Sequence, residues 1–291
     1  MKRKLNPWAP SALCLSLSLL SQACGEPDKK AQELEEPRVL GVRVESSSGG
    51  AYLEAGELAE LEVLIAGTEG PLETTLAYHL CSAVDSASGV PFCAGDPEIE
   101  GTQSGTAQTF SVTIPESGPE GPWTLLGVAC PDSDPSFADD PLDWRCSEGE
   151  PALRFSLDLE VGGEQNENPD LSQAQVEIGE ESALVEATWT PASCEDGVPV
   201  VNAGAKVDVA VHLGEGAREN KEETGVEVLQ VSHFSTRGVL ERHFSILDAG
   251  EEPVTRLEWE APEESGPAKF YVVVRDGRDG VSFLSFSACV E

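Results

Sequence analysis

The sequence predicts an all-β chain of two tandem sandwiches, and three observations carry that expectation. Short apolar runs alternate with period two, no stretch combines a helical period with caps, and a strand-and-turn pattern recurs at a fixed offset of 148 residues. Leu40, Val42 and Val44 alternate with polar or small neighbours, as do Leu61, Val63 and Ile65, and Phe110, Val112 and Ile114. The run from Leu153 through Phe155, Leu157 and Leu159 to Val161 is the most regular. Val207, Val209 and Val211, then Phe270, Val272 and Val274, continue the pattern in the second half. Gly, Pro, Ser and Asp bound each run, so each reads as an antiparallel strand with one face on a core.

The repeat sets the domain organisation. Ala55-Gly56 precedes one strand and Ala203-Gly204 its counterpart; Ser117-Gly118-Pro119 and Ser265-Gly266-Pro267 stand at the same offset. A third match, Tyr78-His79-Leu80 with Ser232-His233-Phe234, is offset by 154 and requires a small insertion. It relates His79 to His233 and predicts a structural place for both. Residues 163–170 carry no apolar side chain and are expected to link a domain at 37–162 to a second at 171–291.

About seven short strands in a domain of this length suggest a two-sheet sandwich of immunoglobulin-like type. Trp259-Glu260-Ala261-Pro262, Gly266 and Tyr271-Val272-Val273-Val274-Arg275-Asp276-Gly277 resemble the final strands of bacterial Ig-like and PKD-like modules. That resemblance implies a fold and carries no catalytic residue with it.

The N-terminus reads as an address. Lys2, Arg3 and Lys4 form a basic head, and Ser11 to Leu20 is a mostly apolar run too short to span roughly 30 Å of hydrocarbon. Residues 1–23 therefore read as a signal peptide. Ser21 and Ala23 suit an ordinary small-x-small cut, whereas Cys24 after Leu20-Ser21-Gln22-Ala23 resembles the lipobox of bacterial lipoproteins. Parity favours the second: with Cys14 removed and Cys24 lipidated, six cysteines remain and can pair fully. Gly25 after the cysteine is similar to enteric lipoproteins sorted to the outer membrane. Residues 24–36 are polar and read as a flexible tether, with the membrane as partner through the lipid. The whole chain resembles myxobacterial-type lipoproteins that join a lipobox to such modules, which implies a lipid-anchored place in the cell envelope, on its periplasmic or surface face.

Charge and cysteine usage exclude several classes. The formal net charge is −35, and the mature chain has 15 basic against 53 acidic side chains, a balance of −38. Such a field repels nucleic acid and anionic membrane surfaces. Eight cysteines without a Cys-x-x-Cys pair indicate an oxidising compartment rather than a zinc protein. Six cysteines allow fifteen pairings. Cys81 and Cys130 close strands expected to run antiparallel, so their ends lie at opposite poles, too far apart for a bridge. Local closure favours Cys81–Cys93 and Cys130–Cys146, and a meeting of first and last strands favours Cys194–Cys289.

Chemistry is sparse. There is no Gly-x-Ser-x-Gly and no His-Glu-x-x-His. His212, between Val211 and Leu213, is expected to face solvent, and Asp276-Gly277 with Asp279-Gly280 reads as a hairpin turn. Asp132, Asp134, Asp139, Asp140 and Asp143 crowd one loop and are candidate ligands for a structural calcium, without the sixth-position Gly and twelfth-position Glu of an EF-hand. No other cofactor is expected. The sequence points to a non-catalytic, lipid-anchored binding or structural module whose partner is an envelope protein or polysaccharide. An exported hydrolase, or an accessory subunit of one, is the alternative.

Overall fold

The computed structural model describes residues 33–87, 89–106, 108–116, 123–131, 133–140, 143–147, 149, 152–162, 165–186, 189–194, 197–221 and 225–291. The expected signal peptide, Cys24 and the Ser117-Gly118-Pro119 landmark lie outside these residues.

The first sandwich is built from β1 (Arg38–Ser46), β2 (Leu58–Gly67), β3 (Thr74–Cys81), β4 (Ile99–Gly105), β5 (Gln108–Thr113), β6 (Trp123–Pro131) and β7 (Leu153–Leu159). The second is built from β8 (Gln175–Ile178), β9 (Lys206–His212), β10 (Leu229–Ser235), β11 (Phe244–Leu247), β12 (Val254–Glu260), β13 (Gly266–Arg275) and β14 (Val281–Val290). In the first, β1-β2-β5 faces β7-β6-β3-β4; in the second, β8-β9-β12 faces β14-β13-β10-β11, with short strands added at the edges. Adding seven to each label of the first sandwich generates the second. In the lettering of immunoglobulin-like folds both read A-B-E against G-F-C-C′, so each repeat is an Ig-like sandwich. Gly56 and Gly204, the repeated glycines, occupy equivalent turns before β2 and β9 with φ of +81° and +67°, a conformation that L side chains rarely adopt.

Each sandwich owns a core formed by the inward residues of its strands. Leu61, Val63 and Ile65 of β2 meet Leu76, Tyr78 and Leu80 of β3 and Trp123 and Leu125 of β6. In the second, Val209 and Val211 of β9 meet Trp259, Phe270, Val272 and Phe286. A third apolar cluster joins the two. Leu40, Leu64 and Ala66 on the outer face of β1 and β2 pack on Tyr271, Val273, Val281 and Phe283, on the outer face of β13 and β14, with Leu34 and Phe234.

A bulge makes this junction. Leu40 was expected to share a face with Val42 and Val44, but the β1–β2 register shifts between Val39 and Gly41. One extra residue reverses which side chain faces in. Val39 turns toward the first core and Leu40 toward the second sandwich. Gly41 then lets the partner sheet approach: a Cβ there would lie 2.7 Å from a ring carbon of Phe283 and 3.2 Å from Val273. Polar contacts frame the apolar patch. Arg275 donates to the Leu40 carbonyl at 3.1 Å, and the Trp189 indole N–H donates to Glu62 at 3.0 Å.

Two segments expected to be loose are packed. Leu34, within the expected tether of 24–36, is fully buried at the junction, and its amide donates to the Ser235 carbonyl. In the expected linker, Asn168 donates to the Val44 carbonyl and accepts from the Val281 amide. Asn166 donates to both Asp276 and the Arg278 carbonyl, inside the β13–β14 hairpin. Asparagine side chains, not apolar ones, do the fastening, so hydropathy alone could not reveal it. Burial pushes the Asp276 carboxyl above its ordinary range, while hydrogen bonds from the Arg278 amide, Asn166 and the Gly280 amide pull it down.

The junction yields the first prediction. Gly41→Ala forces the Phe283 ring to shift and should cost about 1–3 kcal/mol, as overpacking does. Urea denaturation should show a lower midpoint; an unchanged midpoint would mean that the sheets do not meet at Gly41.

Candidate functional site

The outer face of β7-β6-β3-β4 in the first sandwich corresponds, by repeat, to the face that the second sandwich uses for the junction. In the first it is covered by two loops, each closed by a disulfide. Cys81–Cys93 closes a small hairpin in which Ala83–Asp85 pairs with Pro91–Cys93. Cys130–Cys146 closes another in which Pro135–Ser136 pairs with Arg145–Cys146. Cys81 stands opposite Thr124 and Cys130 opposite Thr75, so the two cysteines sit at opposite ends of the β3–β6 pair. Cys194–Cys289 ties the second sandwich's early loop to its last strand, across 95 residues of sequence.

Between the two loops lies a cleft of about 370 Å³. His79 and Leu126, cross-strand partners on β3 and β6, form its floor. Phe92 comes from the first loop, and Phe137, Asp139 and Trp144 from the second. The His79 ring stacks on Phe137 with centroids 3.8 Å apart, and Phe137 meets Trp144 edge-on at 4.8 Å. Trp144 is held from both ends: its indole N–H donates to the Ala138 carbonyl, and its own carbonyl accepts from Arg154. Disulfides and ring packing therefore hold the loop side of the cleft over a floor supplied by β3 and β6. Burial lowers the pKa of His79, and Glu100, 3.9 Å from its Nε2, opposes the shift.

A hollow of about 410 Å³ lies at the seam, bordered by Glu45, Tyr52, Gln165, Glu167 and Glu219. Its wall also includes Asn166 and Asn168, whose amides already fasten the two sandwiches.

The histidines correct the repeat alignment. His79 and His233 are not equivalent: His79 points out of the first sandwich, whereas His233 points into the second, where it is 3% exposed. His233 meets Ser245 and Thr255, each at 3.3 Å. Side chains alternate with a period of two residues, and the inward positions Leu76, Tyr78 and Leu80 of β3 correspond to Leu229, Val231 and His233 of β10 only at an odd offset, so the even offset of 154 had joined opposite faces. His212 does face outward, 3.7 Å from Glu177.

The candidate calcium loop forms part of the cleft wall. Asp132 lies outside the described residues. Asp143 is 3.1 Å from Arg145, Asp139 borders the cleft, and Asp134 and Asp140 are exposed, the former bonding Ser147 through its backbone. Among the described residues no three His, Cys, Asp or Glu side chains form a group that could hold a metal ion. Also among the described residues, no helix is long and apolar enough to cross a membrane.

The aromatic cleft itself was missed in the sequence. Phe92, Phe137 and Trp144 stand singly in polar loops, and the only signal was their place inside the two local cysteine closures.

No protein-family model matches the chain, and no curated protein sequence does. Solved structures resemble it at low identity. The Clostridium thermocellum CbhA fibronectin(III)-like modules are 12% identical, with 86% of this chain and 93% of that one covered and a TM-score of 0.21. The two tandem V-type regions of VCBP3, a v-region-containing chitin binding protein, are 9% identical, covering 86% and 99%, with a TM-score of 0.26. Red sea bream transglutaminase is 9% identical with a TM-score of 0.27, and the match takes in 86% of this chain but only 31% of that one. At such scores these likenesses carry no argument, and the fold assignment rests on the strand order above.

Two predictions follow from the described side chains. Replacing Cys81 and Cys93 together by Ser should cost about 2–3 kcal/mol by releasing a short loop. Proteolysis should then cut between residues 82 and 98 before it cuts elsewhere; retention of the parent cleavage pattern would mean that the bridge does not hold the cleft. Burial, with Arg242 and His243 adding repulsion, lowers the His233 pKa from 6.5 to about 3. Above 6.5 both folded and unfolded forms are neutral there, so His233 costs nothing. As pH falls from 6.5 toward 3 only the unfolded state takes the proton, and stability drops by roughly 1.4 kcal/mol per pH unit. A His233→Gln variant should therefore lose less Tm than the parent between pH 6.5 and 4, measured by circular dichroism.

Proposed function

We propose that the chain is a non-catalytic, lipid-anchored protein of the cell envelope, in which the first sandwich binds a partner and the second braces it. The observation that carries this reading is the different use of two equivalent sheet faces. One is spent on the junction, and the other is capped by disulfide-closed loops that leave an aromatic cleft open. Such a cleft, with mostly apolar walls and a few polar groups, has the character of a binding site. A hydrolase would also use a histidine in a cleft, but the His79 ring is stacked on Phe137, an arrangement that suits a wall.

The three disulfides fit an oxidising compartment. Lipidation at Cys24 and sorting by Gly25 to the outer membrane complete the proposal, with an envelope protein or polysaccharide as partner. Glu33 is already paired with Ser235, so only the chain from Cys24 to Glu33 separates the lipid from the folded body. An anchored Cys24 then keeps Glu33 within roughly 30 Å of the membrane, the reach of an extended chain of that length.

The anchor is tested by metabolic labelling. The parent should incorporate palmitate and partition into detergent, and Cys24→Ser should do neither while remaining folded. Palmitate on the Ser variant would remove Cys24 as the anchor.

A further inference from the structure

We propose that the cleft of the first sandwich receives a basic segment of a partner protein, its lysine or arginine stems lying on the aromatic rings and its charged heads reaching carboxylates at the rim. This rests on the reading of the first sandwich as the binding unit and gives that unit its ligand class.

The charge around the cleft selects the occupant. The described residues of the two loops, within 82–98 and 131–147, include seven acidic side chains against one arginine. That arginine, Arg145, is already 3.1 Å from Asp143. Asp139 borders the cleft and is exposed, and the Glu100 side chain, 77% exposed, stands at its foot beside His79. His79 does not offset these charges, because burial disfavours its protonated form. The apolar surface that a ligand can reach is that of Phe92 and Phe137, both partly exposed, with Leu126 and Trp144 buried beneath them.

Few ligands satisfy both halves of that description. Lysine and arginine side chains are apolar along the stem and cationic at the tip, and they lay the stem on apolar surface while the head stays in water. A cation near an aromatic face gains further from the ring quadrupole. A neutral sugar would use the rings and gain nothing from the rim, whereas an acidic partner would be repelled by it. The corresponding face of the second sandwich has no such vacancy, since Leu40, Leu64 and Ala66 of the first cover it.

The test uses the full mature chain carrying Cys24→Ser, at about 150 mM salt, by isothermal titration. The probes are a peptide alternating arginine and serine, its glutamate–serine counterpart and an N-acetylglucosamine tetramer. The basic peptide should bind, and the other two should not. Phe137→Ala should weaken it roughly tenfold, as loss of a buried aromatic contact does, and Asp139→Asn roughly threefold. Glu215→Gln, an exposed carboxylate on the second sandwich, should leave it unchanged.

No binding of the basic peptide overturns the proposal. So does equal weakening by all three substitutions, which would indicate attraction to the overall negative charge alone. Preferred binding of the sugar or the acidic peptide also overturns it. If Phe137→Ala does not fold, Asp139→Asn decides, because its side chain supports no packing. Success of the palmitate experiment with failure here would remove the ligand class and leave the anchored protein standing.

Discussion

The contact between Leu40–Gly41 and the outer face of β13–β14 holds the rest of the molecule in place. Each sandwich closes its own core, but a single β1 bulge decides whether the two cores stand apart or share a wall. With Leu40 turned outward and no Cβ at Gly41, Phe283 and Val273 approach the β1 backbone directly. Arg275 then reaches the Leu40 carbonyl, and Asn166 and Asn168 close the seam at the hairpin end. The segment that leads into β1 also enters this junction, through Leu34. A chain that reads as two beads on a string is thereby braced from three directions.

Duplication explains why one face is left without a sheet to cover it. If each sandwich offers its A-B-E face to the next G-F-C face, a pair uses one of each and leaves two unpaired. The unpaired G-F-C face belongs to the first sandwich, and an exposed sheet face of that kind would be apolar: Leu126 and Val128 point out of it, both fully buried. The two disulfide-closed loops cover it. Because loops rather than a sheet do the covering, the cover is imperfect, and the imperfection is the cleft. The equivalent face of the second sandwich carries Lys269, fully buried, its Nζ 2.7 Å from Glu186. Burial lowers the Lys269 pKa and the Glu186 carboxylate opposes the shift. A buried pair of this kind recovers its desolvation cost only through close geometry.

Strand positions and turn chemistry were legible because they are local. Period-two runs, left-handed glycines at Gly56 and Gly204, and the Asp276–Gly280 hairpin each follow from a few adjacent residues. The disulfide partners were legible too, since loop closure and the antiparallel geometry of β3 and β6 leave few short bridges. The histidine match failed because a motif without its strand register carries no face. The cleft was illegible because Phe92 is distant in sequence from Phe137 and Trp144, all three lie in loops with no periodicity, and the two bridges bring those loops together over His79 and Leu126.

By itself, then, the amino-acid order determined an all-β chain, its duplication, a strongly acidic net charge, and cysteines suited to local closure. Alternation, turn residues and net charge are properties of neighbouring residues or of sums, and neither needs a third dimension. Only the tertiary structure decided that the repeats are braced rather than tethered, and which of two equivalent faces stays open. Both depend on a one-residue bulge, where the energy of burying Leu40 against a distant sheet outweighs the regular β1 ladder. No pattern within β1 announces which sheet lies on the other side.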